Sequence, residues 1–470
     1  MSGPTHSLTI RATIPARVGM LGEVMAAIAS EEALVGGVDI VRSTSDTVTR
    51  DMAVLVRDDL HGERVRIAIA EVADVEVEGV ADRALLAHAG GKVGMRNRVP
   101  VATRDDLSMA YTPGVARVCM AINEDPERAW EYTIKGNSVM VVSDGTAVVG
   151  QGDLGPLAAL PAMEAKCMFL RELAGIDAFP LPVTQRDPEA IARTVARCVS
   201  PFAGVHVTDV AAPTCFELGR ALAPKVDVPV FQDDQAGTAA ALLAALVNSL
   251  EFVGKRLSNA RVVVAGLGPG GVATVRLLVA AGVGEVTACD SRGAVHTGRD
   301  DLTEDDRWVA EHTNGARRTG TASDLVAGAD AFIGLSTPGL LDADDLRRMA
   351  SDPIVFALAM PEPEVARGVA DELVRVYATG RPDVPNQIHS ALAFPGIWRG
   401  ALDARARTID ESMVLAAAGA IAETVTQTSA PSADRVVPSI FDPELVPNVA
   451  RAVRSAAEAA GLARVPESVA

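Results

Sequence analysis

The segment Arg261-Val-Val-Val-Ala265-Gly266-Leu-Gly268-Pro-Gly270-Gly271 constrains the fold of this chain more than any other. Its first five residues form an apolar run of the kind buried in a parallel sheet, and a helical pattern runs from the glycines to position 280. Strand, glycine turn and helix in immediate succession are the context in which a G-x-G-x-x-G spacing binds a dinucleotide. There Gly266 allows the tight turn, Gly268 lets backbone approach the pyrophosphate, and Gly271 permits close helix–strand packing, with the helix N-terminus facing the phosphates. A second strand over 285–289 ends at Asp290, where a carboxylate meets a ribose 2′-hydroxyl and repels a 2′-phosphate. The pattern predicts an α/β fold with a Rossmann-type nucleotide domain and NAD as cofactor; the bland reading is a tight glycine turn in a domain that binds nothing.

At 470 residues the chain is too long for one core and should divide into about two to four domains. Lys and Arg total 43 against 61 Asp and Glu, a formal charge of -18 with no local basic patch, so neither nucleic acid nor an anionic membrane surface is an expected partner. The longest apolar run, 236–247, falls short of the roughly 20 residues a spanning helix needs, and the first twenty residues lack a basic and apolar leader, so the cytoplasm is the expected location. Cys119, Cys167, Cys198, Cys215 and Cys289 are scattered, never at C-x-x-C spacing, and read as reduced thiols.

Alternation over 8–14, a turn at 15–19, helical spacing over 20–28, strands at 38–42 and 52–56, a short helix at 64–70 and a strand at 75–80 predict a small ferredoxin-like βαββαβ domain over 1–86. With Pro15 and Gly19 in its first turn it resembles an ACT domain, which implies an amino-acid effector; a dimerisation domain without a ligand is the alternative. Small residues and paired glycines over 87–94 read as the linker. The remaining divisions fall at 87–250, 251–384 and a return segment over 385–470, with the site expected between the second and third.

The middle of the chain carries DDLSMAYTPGV around Tyr111, TIKGNSVMVVSDGTAVVGQGDLG, PAMEAKCMF around Lys166, GIDAFP, VPVFQDDQAGTA around Asp233 and Asp234, and, later, ATGRPDVPNQIHSALAFPG. In this order and spacing the segments closely resemble bacterial NAD(P)-dependent malic enzymes that carry an N-terminal ACT domain. The resemblance, from about position 81 to the end, implies the malic-enzyme N-terminal catalytic domain, oxidative decarboxylation of malate to pyruvate and a homodimer or higher homo-oligomer. It implies Lys166 as general base with a pKa lowered by burial, Tyr111 as general acid and Asp233 as the carboxylate that positions the base. Asp209 and Asp234 would hold Mg²⁺ or Mn²⁺, and Asn386 would join Gly266, Gly268, Gly271 and Asp290 in holding NAD. Without the family, Tyr111 reads as a packed ring, Lys166 as a surface lysine, and Asp233 with Asp234 as a helix N-cap, although paired aspartates after an apolar strand fit the strand ends where α/β sites form.

Several positions depart from the family. Glu-Asp in a segment like N-L-E-D-I-S-A-P is Thr208-Asp209 here, within His206-Val-Thr-Asp-Val-Ala-Ala-Pro. Ala-Asn-Pro is Ala359-Met360-Pro361, an Asn pair is His389-Ser390, and D-D-Q-H-G carries Ala236 in place of its histidine. A threonine offers only a neutral hydroxyl, so the cation should bind more weakly. Three readings follow: a malic enzyme, a paralogue taking another 2-hydroxy acid whose second acidic group His389 receives, and a regulatory pseudoenzyme that binds NAD without turnover.

Overall fold

The structure, a computed structural model, describes residues 6–464; the leader reading at 1–5 and the end of the return segment at 465–470 lie outside them. The chain divides into two units, Met1–Gly94 and Met95–Ala470. In the first, strands His6–Pro15, Leu34–Ser43, Thr47–Val56 and Glu76–Asp82 form one antiparallel sheet in the order 34–43, 47–56, 6–15, 76–82. Helices Met20–Ser30 and Asp59–Ala70 bury Val24, Ile28, Val65 and Ile69 against Ile10, Ala12, Met52 and Val54. This is the ferredoxin-like βαββαβ order. A helix, Arg83–His88, runs into the stretch read as linker, because the Asp82 carboxylate accepts from the backbone N–H groups of Ala84 (2.6 Å) and Leu85 (3.1 Å) and caps it.

The second unit holds two sheets. The first is parallel, with strands Asp177–Pro182, Ser138–Ser143, Gly204–Val207 and Val230–Gln232 side by side in that order. Its central strand is buried on both faces, which is why Val139, Met140, Val141 and Val142 are apolar without alternation, each contributing about 1.5–3 kcal/mol of transfer free energy. The other sheet orders Gly293–Ala294, Glu285–Asp290, Arg261–Ala265, Ala331–Gly334, Ile354–Ala357 and Val376–Thr379, all parallel except the short antiparallel edge strand. The chain then returns to the first sheet through helix Phe394–Asp403, where Trp398 packs on Gly204 so closely that a Cβ there would lie 2.1 Å from the indole. Helices Arg104–Ala110 and Gly114–Glu124 lie in a long stretch of this unit, 95–129, in which no residue is buried.

Candidate active site

The glycine turn has the geometry its spacing predicts. Gly266 has φ +98°, and a Cβ on it would lie 2.3 Å from the Leu335 carbonyl oxygen; a Cβ on Gly271 would lie 1.8 Å from that of Gly266, so neither tolerates a side chain. Gly268 faces open space and begins helix Pro269–Ala280 with no side-chain cap, leaving backbone N–H groups and the helix dipole for an anion. A Cβ on Gly270 would stand 3.2 Å from the Asp234 carbonyl oxygen, so the turn abuts the paired aspartates.

Those aspartates follow the carboxyl end of strand Val230–Gln232, within a π-helical turn, Asp233–Gly237, that leads into helix Thr238–Phe252. The wide turn is a local departure from α geometry of the kind concentrated at functional sites. Asp209 follows strand Gly204–Val207 and holds φ +56°, a strained conformation for a residue with a Cβ. Its backbone N–H donates to Asp234 Oδ2 at 2.7 Å, while Val149 N–H donates to its Oδ1 at 3.2 Å. Strand ends of one parallel sheet thus bring Asp209, Asp233 and Asp234 together.

Lys166 reaches this group from helix Pro156–Ala174. Its Nζ donates to Asp233 Oδ2 and, at 3.3 Å, to Ser390 Oγ, whose hydroxyl donates to the same Asp233 oxygen at 3.0 Å. The ammonium also lies 5.2 Å from the centre of the Phe394 ring. Burial alone would lower the lysine, as the sequence reading expected. That expectation is corrected: the charges of Asp233, Asp234 and Asp209 outweigh burial and hold Lys166 above its ordinary range. Asp233 is held below its ordinary value: burial raises it, but the Lys166 charge prevails. Burial and the Asp233 charge push Asp234 up to about 7, and burial raises Asp209. Carboxylates crowded enough to resist ionisation favour a cation.

The donors fit a hard cation, at reduced charge. Among the described residues Asp209 Oδ2 and Thr208 Oγ1 are both buried without a hydrogen-bond partner, and with Asp234 they offer two carboxylates and one neutral hydroxyl. Among the described residues no group of three or more His, Cys, Asp or Glu is arranged to hold a metal.

Five expected or suspect positions have surroundings of their own. Tyr111, at the end of helix Arg104–Ala110, is 66% exposed on the segment that buries nothing. The Asn386 side chain is engaged within the chain: its amide donates to the carbonyls of Tyr377 (3.2 Å) and Ala433 (2.7 Å) and accepts from Val436 N–H (2.8 Å), so it pins the return segment. Asp290 does end its strand, but Arg299 grips its carboxylate through two hydrogen bonds of 2.9 and 2.8 Å. Met360 is half exposed, whereas burial pushes His389 down to about 4 and its Nδ1 accepts from Ala391 N–H at 3.0 Å. Sequence reasoning missed Asp144, buried at the end of strand Ser138–Ser143 with Oδ2 unpartnered, although an apolar run followed by Asp-Gly was the same signal that singled out Asp233. It also missed Ser390 as the hydroxyl bridging base and carboxylate.

A Rossmann sheet whose glycine turn abuts a buried acidic centre defines the class, an NAD-linked oxidoreductase. Residues 92–186 match the malic enzyme N-terminal domain and residues 235–458 the malic enzyme NAD binding domain. An NAD-dependent malic enzyme of Geobacillus stearothermophilus is 45% identical over 464 residues, 98% of this chain and 96% of that one. A bifunctional malic/malolactic enzyme of Bacillus subtilis (strain 168) is 46% identical over 385 residues, 81% of this chain and 94% of that protein. The crystal structure of malic enzyme from Pyrococcus horikoshii Ot3 superimposes with a TM-score of 0.79 at 40% identity, covering 82% of this chain and 92% of that one. The chain belongs to the malic enzyme family.

Proposed function

We propose that the chain oxidises malate with NAD and decarboxylates the product to pyruvate and CO₂. The observation that carries this reading is Lys166, held by Asp233 and Ser390 beside the turn built for a dinucleotide. As hydride leaves malate C2 for the nicotinamide, the C2 hydroxyl proton needs an acceptor, and Lys166 is placed to take it once it has lost the proton that the neighbouring carboxylates hold on it in the free site. The resulting β-keto acid loses its C4 carboxylate as CO₂, leaving an enolate that Tyr111 protonates at C3. Asp209 and Asp234 would hold the divalent cation, which when bound would supply positive charge to the developing enolate.

Tyr111 fits this role in a homodimer. Leu107, Met109, Tyr111 and Met120 are all exposed on the segment that buries nothing, an apolar surface that a second copy of the chain would cover while bringing its own Lys166 to Tyr111. The ferredoxin-like unit serves as a regulatory domain for an amino-acid effector. All five cysteines are free, and no helix among the described residues is long and apolar enough to cross a membrane, which supports a cytoplasmic location.

The test is NADH formation over a panel of 2-hydroxy acids, with Mn²⁺ and with chelator. Malate should give NADH, pyruvate and CO₂ in equal amounts, with chelator abolishing all three. NADH from another hydroxy acid but not from malate would transfer the reading to a paralogue built around Met360 and His389. No turnover with intact NAD binding would leave a pseudoenzyme.

A further inference from the structure

The buried imidazole of His206 has no part in the chemistry above, yet it adjoins the catalytic base. It lies on strand Gly204–Val207, wholly enclosed, with its ring edge-on to Phe394 at 5.2 Å between centroids. Trp398 donates its indole N–H to His206 Nδ1 at 3.0 Å. An indole nitrogen can only donate, so Nδ1 must be the acceptor, and a neutral ring then carries its proton on Nε2. With Nδ1 accepting, the ring cannot carry a second proton, so the hydrogen bond itself requires the neutral form. Nε2 has no hydrogen-bond partner among the described residues and stands 3.9 Å from Asp233 Oδ2, the oxygen that accepts from Lys166 and Ser390. Bonds of this kind are often long in the free enzyme and tighten when substrate binds.

We infer that Trp398 and His206 are positioning residues for the base: Trp398 fixes His206 as the Nε2–H tautomer, and that N–H orients the Asp233 carboxylate that grips Lys166. The inference rests on the malate-oxidising reading above. Three features of the chain converge on it. Gly204 has no side chain where the indole sits, Trp398 lies on the helix that also places Phe394 against Lys166, and Asp233 Oδ1 has no partner, so the carboxylate torsion is not fixed from that side. An asparagine amide N–H can donate to a carboxylate as Nε2–H does. A leucine cannot.

The experiment compares His206→Asn, His206→Leu and Trp398→Phe in NAD-linked malate oxidation and records ¹⁵N imidazole spectra of the full-length protein. His206→Leu should lower kcat about ten- to a hundredfold, with KM for NAD and malate nearly unchanged. His206→Asn should recover most of kcat, and Trp398→Phe should fall between. The wild-type spectrum at pH 7 should show His206 protonated at Nε2 and bare at Nδ1, and Trp398→Phe should mix the tautomers. An Nδ1–H tautomer in the wild type, equal losses in the Asn and Leu variants, or a rise in KM without a fall in kcat overturns the inference. If His206→Leu does not fold, the tautomer and the Trp398→Phe kinetics decide. The spectrum needs no turnover, so failure of malate as a substrate is distinguishable from failure of the positioning chain.

Discussion

Thr208 Oγ1 and Asp209 Oδ2 belong to consecutive residues and are buried without a hydrogen-bond partner among the described residues, and only one of them belongs to an ionisable group. Restoring the second charge should strengthen the site toward a cation by one charge-assisted contact, about 1.5–3 kcal/mol, or about ten- to a hundredfold in affinity. Thr208→Glu is therefore expected to tighten Mn²⁺ binding by at least about tenfold in calorimetry with NAD present, without a parallel rise in malate turnover while Met360 and His389 remain. Equal affinities would mean that position 208 is not at the cation. At Asp290 the neighbours matter as much as the residue. Arg299 bridges Asp290 and Asp301, and Arg292 pairs with Asp301. Removing the Asp290 carboxylate leaves two guanidinium groups where a 2′-phosphate would lie. Asp290→Ser should lower the ratio of kcat/KM for NAD to that for NADP by about tenfold or more, one charge-assisted contact. An unchanged ratio would place the adenosine ribose elsewhere.

At the scale of elements, what was legible in the sequence is what is locally determined. Arg261–Ala265 shows itself as a strand because both its faces are covered and every position must be apolar, and the glycine turn because sterics exclude other residues. Asp233 and Asp234 were legible as strand-end residues, whereas Asp209 entered only through the family resemblance. The partners of the base were not, because Ser390 meets Lys166 across 224 positions and Trp398 meets His206 across 192, pairings that no local pattern encodes. The same blindness reversed the sign for Lys166: burial can be guessed from a helix pattern, but the field of three carboxylates from other strands cannot. The segment from 95 to 129 read as ordinary motif-bearing sequence and emerged as helices with no buried residue. Its prediction is an exchange experiment. Lys166→Ala and Tyr111→Phe homodimers should each lack malate turnover, and mixing and refolding them together should restore it, since a mixed dimer pairs an intact Lys166 with an intact Tyr111 in one of its two sites. Mixed dimers that form without any activity would place both residues of a site on one chain.

For the whole molecule, buried titratable groups pull its stability against pH in opposite directions. His206 and His389 are both pushed down to about 4 by burial, whereas unfolded imidazoles titrate near about 6.5. Between those values the unfolded chain binds protons that the folded chain refuses, so their contribution to stability is lost as pH falls. Asp234, pushed up to about 7, works the other way, as do Asp209 and Glu364, which burial also raises: the folded chain keeps protons on them that the unfolded chain has released. The sum is a balance of several groups, but a comparison of wild type with His206→Asn cancels all of them except one imidazole. On that difference the expected slope is about 1.4 kcal/mol per pH unit, with the wild type losing stability relative to the variant as pH falls from about 6.5 toward 4. Denaturant midpoints at pH 6.5 and 4.5, read on both proteins in the same buffers, give the difference directly. Divergence in that direction requires His206 to be neutral and enclosed in the folded state, the condition under which its Nε2–H can serve Asp233; parallel curves would mean that the ring accepts its proton in place, and the Trp398–His206 arrangement would have to be redrawn with a charged imidazole beside the base.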